Sequence, residues 1–192
     1  TRIINYSVQE KPTGEISAGA GVGTSGGSIG FSVKENNYLG KGVSLEGSAT
    51  LSEESLKGIF SVTNPNYKNS DKSINFSVQA TEVDRVADFG YKNNKIGFSL
   101  GTNFEYLDDF NLGVSTSTFY ERIETDSTAS ARQKKLDGNY FDTFLRFNFD
   151  YDKRNQYFQT SDGFRSRYYL DLPIISKTNT LTNTYDYKIY SE

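Results

Sequence analysis

The sequence contains no cysteine, histidine, methionine or tryptophan, and only 3 of its 192 residues are proline. Without cysteine the chain can form neither a disulfide framework nor a thiolate metal site. Without histidine it lacks the one side chain whose unperturbed pKa lies near neutrality and which most often acts as a general acid or base. These absences argue against an enzyme, and no spacing of other residues indicates a metal ion or a cofactor.

Long apolar runs and an excess of basic charge are also missing. No run approaches the roughly 18 apolar residues of a transmembrane helix, which excludes a helical membrane protein. Lys and Arg total 21 against 24 Asp and Glu, so we expect no nucleic-acid partner. The chain does not begin with methionine and its start lacks the parts of a signal peptide, so we expect an internal piece of a longer precursor.

The composition is nevertheless rich in two kinds of residue. Only 35 % of the residues are hydrophobic, yet 15 % are aromatic and 17 are glycine. This combination is unusual for a soluble core, because aromatic side chains are generally buried or placed at an interface. It is typical of a membrane β-barrel, in which the lumen is polar and only alternate residues face lipid.

Apolar residues alternate with small or polar residues from Gly14 onward. A period of two predicts strands, and the Gly, Asn, Asp and Ser residues between them predict turns at 25–27, 36–42 and 53–55. Ten strands are expected, with apolar phases over residues 16–22, 29–33, 43–51, 56–62, 74–80, 96–106, 111–120, 145–151, 164–172 and from about 184. Polar segments 82–94, 123–138 and 173–183 are expected to be loops on one side of the membrane, opposite a tight turn at 107–109.

Charged residues within the strands fall on the phase opposite the apolar one. On a lipid face, a charge would cost about 2 to 4 kcal/mol at mid-bilayer. A soluble antiparallel sheet with one solvated face would show the same alternation, so a soluble sandwich or barrel stays open on this ground. The charged residues concerned are Lys34, Glu46, Lys57, Glu105, Arg146, Asp150, Arg165, Arg167 and Asp171.

Three motifs, in order along the chain, resemble one family. VQEKPTGEISAGAGVG at residues 8–23, followed by NNYLGKG at 36–42, resembles the junction between the last POTRA domain and the first barrel strands of the BamA family, in the bacterial surface antigen superfamily. SVTNPNY at 61–67 is similar to the family's turn after the fourth strand. DYDKRN at 150–155 with TSDGFR at 160–165 is similar to a later turn, although Gln159 and Thr160 stand where the family usually has a proline.

The resemblance implies a domain organisation and a function. Residues 1–13 would end the last POTRA domain, with a final strand in which Ile4, Tyr6 and Val8 share one phase. Residues 14–192 would form the first part of an all-β, antiparallel transmembrane β-barrel, about ten meandering strands that do not close. The parent would fold and insert β-barrel proteins into the cell outer membrane. Its partners would be unfolded outer-membrane proteins, the lipoproteins of the assembly complex and the lipid bilayer.

The first strand is the candidate site. In this family it is a weakly paired edge, and the N–H and C=O groups of such an edge can template an incoming strand. Gly19 and Gly21 would weaken its packing, although they could instead only relieve crowding in the barrel wall. The predicted edge consists of Glu15, Ile16, Ser17, Ala18, Gly19, Ala20, Gly21 and Val22.

Other readings are weaker. Carboxylate pairs occur at Glu53 with Glu54 and at Asp108 with Asp109, but both lie in predicted turns, where acidic residues are common. The glycine-rich stretch 19–27 lacks the Gly-Lys-Ser/Thr ending of a phosphate loop and opens no helix. The functional alternatives are a TamA-like assembly factor or secretion pore of the same superfamily, or a small self-contained porin or structural barrel, which would need a closing strand.

Overall fold

The computed structural model describes residue 9 and residues 11–23, 26–177 and 180–191. In this part of the chain ten strands form one antiparallel sheet in sequence order. The strands are β1 (Gly14–Gly23), β2 (Gly26–Tyr38), β3 (Val43–Ser52), β4 (Ser55–Asn64), β5 (Ser73–Arg85), β6 (Tyr91–Leu107), β7 (Phe110–Thr125), β8 (Gly138–Asp152), β9 (Gly163–Ile175) and β10 (Thr182–Tyr190). Two short helices, α1 (Val86–Phe89) and α2 (Ala131–Lys134), lie in the β5–β6 and β7–β8 connections.

The sheet is open. Ser17 in β1 pairs with Ser32, Tyr187 in β10 pairs with Ser166, and no pairing joins β1 to β10 among the described residues. The predicted fold class, an unclosed meander of ten antiparallel strands, is confirmed. Strands cut from a larger barrel keep the curvature of that barrel, so the two ends of the sheet do not meet. A self-contained small barrel would require the closing pair that the described sheet lacks.

Each strand carries an apolar phase on one face and a polar phase on the other. In β8 and β9, Phe147 opposes Leu170 and Phe149 opposes Tyr168 on one face, while Arg146 opposes Asp171 on the other. The register extends these rows across neighbouring strands, so that alternation within one strand becomes a continuous face. We call the two sides the apolar face and the polar face.

Crowding differs between the two faces. A Cβ added at Gly97, on the polar face, would lie 2.2 Å from the ring of Phe119, whereas one added at Gly58, on the apolar face, would meet nothing within 4 Å. Side chains converge on the inner side of a curved sheet, so this difference indicates that the polar face lines the inside of the curve.

Several predicted loops are strand instead. Segment 82–94 was expected to be a loop, but β5 continues to Arg85 and β6 begins at Tyr91, with Glu82 opposite Asn94. Polar side chains pair along this extension, for example Lys92 Nζ with Glu82 Oε1 at 2.5 Å. The backbone ladder continues because solvated polar residues can occupy strand positions beyond an apolar band.

The same correction applies elsewhere. Segment 123–138 contains the end of β7 and the start of β8 around α2, segment 173–183 contains the end of β9, and β2 includes residues 36–38 of the predicted turn. Of the predicted 25–27 turn, Gly26 and Gly27 belong to β2, and residue 25 lies outside the described residues. The strands of the meander are therefore longer than their apolar phases.

The start of the chain is largely outside the description. A strand with Ile4, Tyr6 and Val8 was predicted there, and these residues lie outside the described part; residues 11–13 have no regular secondary structure. The domain boundary at 13/14 stays a prediction. No helix of the described residues is long and apolar enough to cross a membrane.

Candidate functional site

The first strand forms one free edge of the sheet. β1 pairs with β2 along its whole length, from Gly14 opposite Glu35 to Gly23 opposite Gly26. Its other side has no partner among the described residues. The eight residues of the predicted edge therefore lie together in one continuous strand whose outer backbone groups are available for pairing. Their role in binding a substrate strand stays a prediction.

Side chains of β1 leave this edge unobstructed. Every residue of the strand is exposed, with Ile16 73 % and Val22 92 % exposed. Glycine, alanine and serine occupy most of the remaining positions. A strand approaching the edge would thus meet few bulky side chains on either face.

Gly19 and Gly21 are not crowded by the described residues. A Cβ at Gly19 would meet nothing within 4 Å, and one at Gly21 would only touch Ser28 Oγ at 3.6 Å. Relief of crowding within this sheet therefore does not account for these two glycines. Their remaining effect is to weaken the strand, because glycine loses more backbone entropy on ordering and packs no side chain.

The end of the sheet with the β5–β6, β7–β8 and β9–β10 connections is here called the outer end, and the opposite end, where β1 starts, the inner end. At the inner end, the backbone N–H and side-chain Nδ2 of Asn36 donate to the carbonyl of Thr13 at 3.3 and 3.1 Å. Thr13 Oγ1 in turn donates to Glu35 Oε1. Sequence reasoning missed these contacts, because Asn36 was read only as a turn residue.

At the outer end of β1 the neighbouring contact is different. The backbone N–H of Gly27 in β2 donates to Glu53 Oε1 at 3.2 Å, which ties β2 to the β3–β4 turn rather than to β1. No side-chain hydrogen bond joins β1 to β2 at this end within the described part of the chain. β1 is thus held by side chains at its inner end and by its backbone ladder beyond it.

The carboxylate pairs found in the sequence have structural partners. Glu54 Oε2 lies 2.6 Å from Arg85 Nε, and Asp109 Oδ2 lies 2.5 Å from Lys153 Nζ in the β8–β9 connection. The hydrogen bond to Asp109 raises the pKa of Lys153 above its ordinary value. Glu54 therefore joins the β3–β4 turn to the end of β5, and Asp109 joins the β6–β7 turn to the β8–β9 connection.

The described sheet is unpaired at β1 and β10, and its apolar face is exposed, with Phe31 50 % and Ile96 54 % exposed. A single sheet with one exposed apolar face and one polar face is typical of part of a transmembrane β-barrel. Residues 37–191 match the Omp85 superfamily domain. The chain belongs to the Omp85 superfamily. The match begins near the end of β2, so β1 and its edge lie before it.

The fold is similar to a solved structure of the same kind. The crystal structure of BamA from Haemophilus ducreyi lacking POTRA domains 1–3 matches with a TM-score of 0.65 at 20 % sequence identity. The match covers 86 % of this chain and 35 % of that chain, so the chain spans about a third of the length of that BamA structure. The predicted resemblance to the N-terminal part of a BamA-like barrel is confirmed.

Proposed function

We propose that the protein containing this chain folds and inserts β-barrel proteins into the bacterial outer membrane, and that β1 is the edge on which an incoming strand is templated. The observation that carries the proposal is the exposed, small-residue composition of β1, a terminal strand of the described sheet, in a chain of the Omp85 superfamily. The proposed partners are unfolded outer-membrane proteins, the lipoproteins of an assembly complex and the bilayer.

Strand addition explains how such an edge would work. An extended substrate segment gains main-chain hydrogen bonds from the unpaired N–H and C=O groups of β1, and these bonds do not depend on its sequence. The apolar phase of β1, which includes Ile16 and Val22, would align with the apolar phase of the substrate. The substrate strand would then enter the sheet with its apolar side chains already on the apolar face.

The role needs no catalytic group, so we propose that the chain is not an enzyme.

Proline substitutions on β1 test the proposal. Thr13 and Asn36 form a hydrogen-bonded pair, so the even-numbered residues of β1 direct their N–H groups away from β2. Proline removes the backbone N–H and fixes φ, so Ile16→Pro, Ala18→Pro or Ala20→Pro should each lower the rate at which the full protein assembles substrate barrels, by about tenfold or more. Ser17→Ala should be nearly silent, because it leaves the backbone unchanged. Assembly is measured with a radiolabelled barrel substrate and proteoliposomes that contain the full protein.

Ser61→Pro in the interior strand β4 is the control for general damage, and it should prevent the protein itself from inserting. Normal substrate assembly by all three edge variants, at normal levels of inserted protein, would refute the templating role of β1.

A further inference from the structure

We propose that Thr13, Glu35 and Asn36 form an anchor that sets the register of β1 on β2, and through it the register of the edge offered to a substrate strand. The inference rests on the templating role proposed above and assigns positioning residues to it. The anchor lies outside the eight residues of the edge.

The polar-face side chains of β1 specify its register only weakly, so the anchor would add to the apolar pairs, such as Ile16 opposite Val33, and to the short connection between Gly23 and Gly26. Ser17 opposes Ser32, Gly19 opposes Gly30 and Gly21 opposes Ser28. Glycine-rich strands with small side chains are prone to slip along their partners. A slip by one residue would turn Ile16 and Val22 to the polar face. A slip by two residues would keep the faces but move β1 along β2 by two residues, and so move its edge relative to the membrane.

The anchor adds specificity through three hydrogen bonds at Thr13, two of which involve a side chain. The carbonyl of Thr13 accepts from both nitrogens of Asn36, and its hydroxyl donates to Glu35. The carboxylate of Glu35 lies over the start of β1, where a Cβ added at Gly14 would come within 3.3 Å of Glu35 Oε2. A slipped register would break these contacts together.

The β2–β3 turn holds the anchor in place. Asn37 N donates to Glu35 Oε1 at 2.7 Å, and Asn37 Oδ1 accepts from Gly42 N at 2.6 Å. Asn36 Oδ1 accepts from Ser44 Oγ at 3.4 Å. The turn itself depends on positive φ angles at Leu39, Gly40 and Gly42. Glu35 and Asn36 are thereby held by contacts other than those to Thr13, whereas the outer end of β1 has no comparable contact among the described residues.

Disulfide trapping measures the register directly, since this chain contains no cysteine. Ser17→Cys with Ser32→Cys reports the observed register, and Ser17→Cys with Gly30→Cys reports a slip by two residues. Both pairs are placed in the full protein in outer-membrane vesicles and oxidised, and the cross-linked fraction is determined. With the anchor intact, the Ser17/Ser32 pair should dominate.

Loss of the anchor should raise the slipped fraction. One net hydrogen bond is worth roughly fivefold in such an equilibrium, so Glu35→Ala or Thr13→Val should increase Ser17/Gly30 cross-linking about fivefold or more. Glu35→Gln should restore the observed register, because its amide oxygen still accepts from Thr13 and from Asn37 N. Glu46→Ala, which removes a carboxylate from β3 outside the anchor, should leave both cross-links unchanged.

The assembly assay then connects register with function. Glu35→Ala should slow substrate assembly and Glu35→Gln should not. If Glu35→Ala and Thr13→Val both leave the slipped cross-link within about twofold of its original level, the anchor is refuted while the templating proposal stands. If the edge prolines are harmless but the cross-links shift as expected, the anchor stands and templating is refuted.

Discussion

The first four strands and the last four strands of the sheet are built from different residues. On the apolar face of β1 to β4, many positions hold glycine or alanine, among them Ala18, Ala20, Gly47, Ala49 and Gly58. On the apolar face of β7 to β10, rings stand beside rings: Phe110 and Phe149 at 6.4 Å, Phe149 and Tyr168 at 6.1 Å, and Tyr151 and Phe164 at 5.6 Å between centroids. Aromatic pairs contribute about 0.5 to 1.5 kcal/mol each beyond area burial.

The polar face repeats this contrast. Arg146 holds Asp171 through two hydrogen bonds of 2.5 and 2.8 Å, and Arg165 holds Asp150 through two of 2.9 and 2.5 Å. In β1 to β4, Lys34 opposes Glu46, but no ion pair joins these strands in the part of the chain that the structure describes. Side chains therefore link strands β7 to β10 on both faces, whereas strands β1 to β4 are held together mainly by their backbone hydrogen bonds. This weaker side-chain linkage of β1 to β4 suits the proposed templating edge, because such an edge must exchange its pairing partner.

The largest effect that we expect concerns which face meets lipid. Phe147 in β8 and Ala49 in β3 lie on the apolar face, and their neighbours Asn148 and Ser48 lie on the polar face. In single-cysteine variants of the membrane-embedded protein, a water-soluble maleimide should label Asn148→Cys and Ser48→Cys at least about tenfold faster than Phe147→Cys and Ala49→Cys, because lipid excludes the reagent. Faster labelling at Phe147→Cys than at Asn148→Cys would reverse the assignment of the faces.

Removing a charged side chain from the polar face of β9 should have the next largest effect. Arg165→Ala leaves Asp150 and Asp152 without this partner, and the side chain of Asp152 is only 9 % exposed. We expect a loss of about 2 kcal/mol in unfolding free energy, less than for a fully buried ion pair because Arg165 is partly exposed. The urea midpoint of the refolded protein measures this loss.

Arg132→Ala, in the exposed helix α2, is the matched control and should change stability by less than about 0.5 kcal/mol. Equal urea midpoints for the Arg165 and Arg132 variants would show that the ion pairs of Arg165 do not stabilise the protein.

A matched pair of glycines gives the smallest expected difference. Gly58→Ala, in uncrowded space on the apolar face, should stabilise the protein by about 0.5 kcal/mol through the lower entropy of the unfolded chain. Gly97→Ala should destabilise it by about 1 to 2 kcal/mol, because the new Cβ would lie 2.2 Å from Phe119. The same urea titration measures both variants. Equal changes in unfolding free energy for Gly58→Ala and Gly97→Ala would contradict the assignment of the polar face to the inside of the curve.

Much of the fold could be read from alternation. The phase of β8, with Phe147 and Phe149 opposite Asn148, follows from the geometry of a strand, in which residues two apart share a face. Ten strands and their apolar faces were therefore predictable, whereas the open meander and the choice of β1 as candidate edge came from the resemblance of the motifs to the BamA family. Composition and motifs supported the same class of protein.

The outer strand extensions were not predictable in this way. Lys92 and Glu82 belong to a polar stretch without apolar alternation, and only their pairing across β5 and β6 shows that the strands continue. The anchor was missed for a similar reason, since Thr13 and Asn36 are far apart in the sequence and neither is unusual by itself.

The sequence by itself determined where the apolar part of each strand lies and which side of each strand is apolar, because that pattern depends on neighbours two positions apart. Only the tertiary structure decided how far the strands extend, why Gly97 must lack a side chain, and which residues hold β1 at its inner end. Each of these depends on register between strands, which brings distant residues together through backbone pairing and is not encoded in the alternation of a single strand.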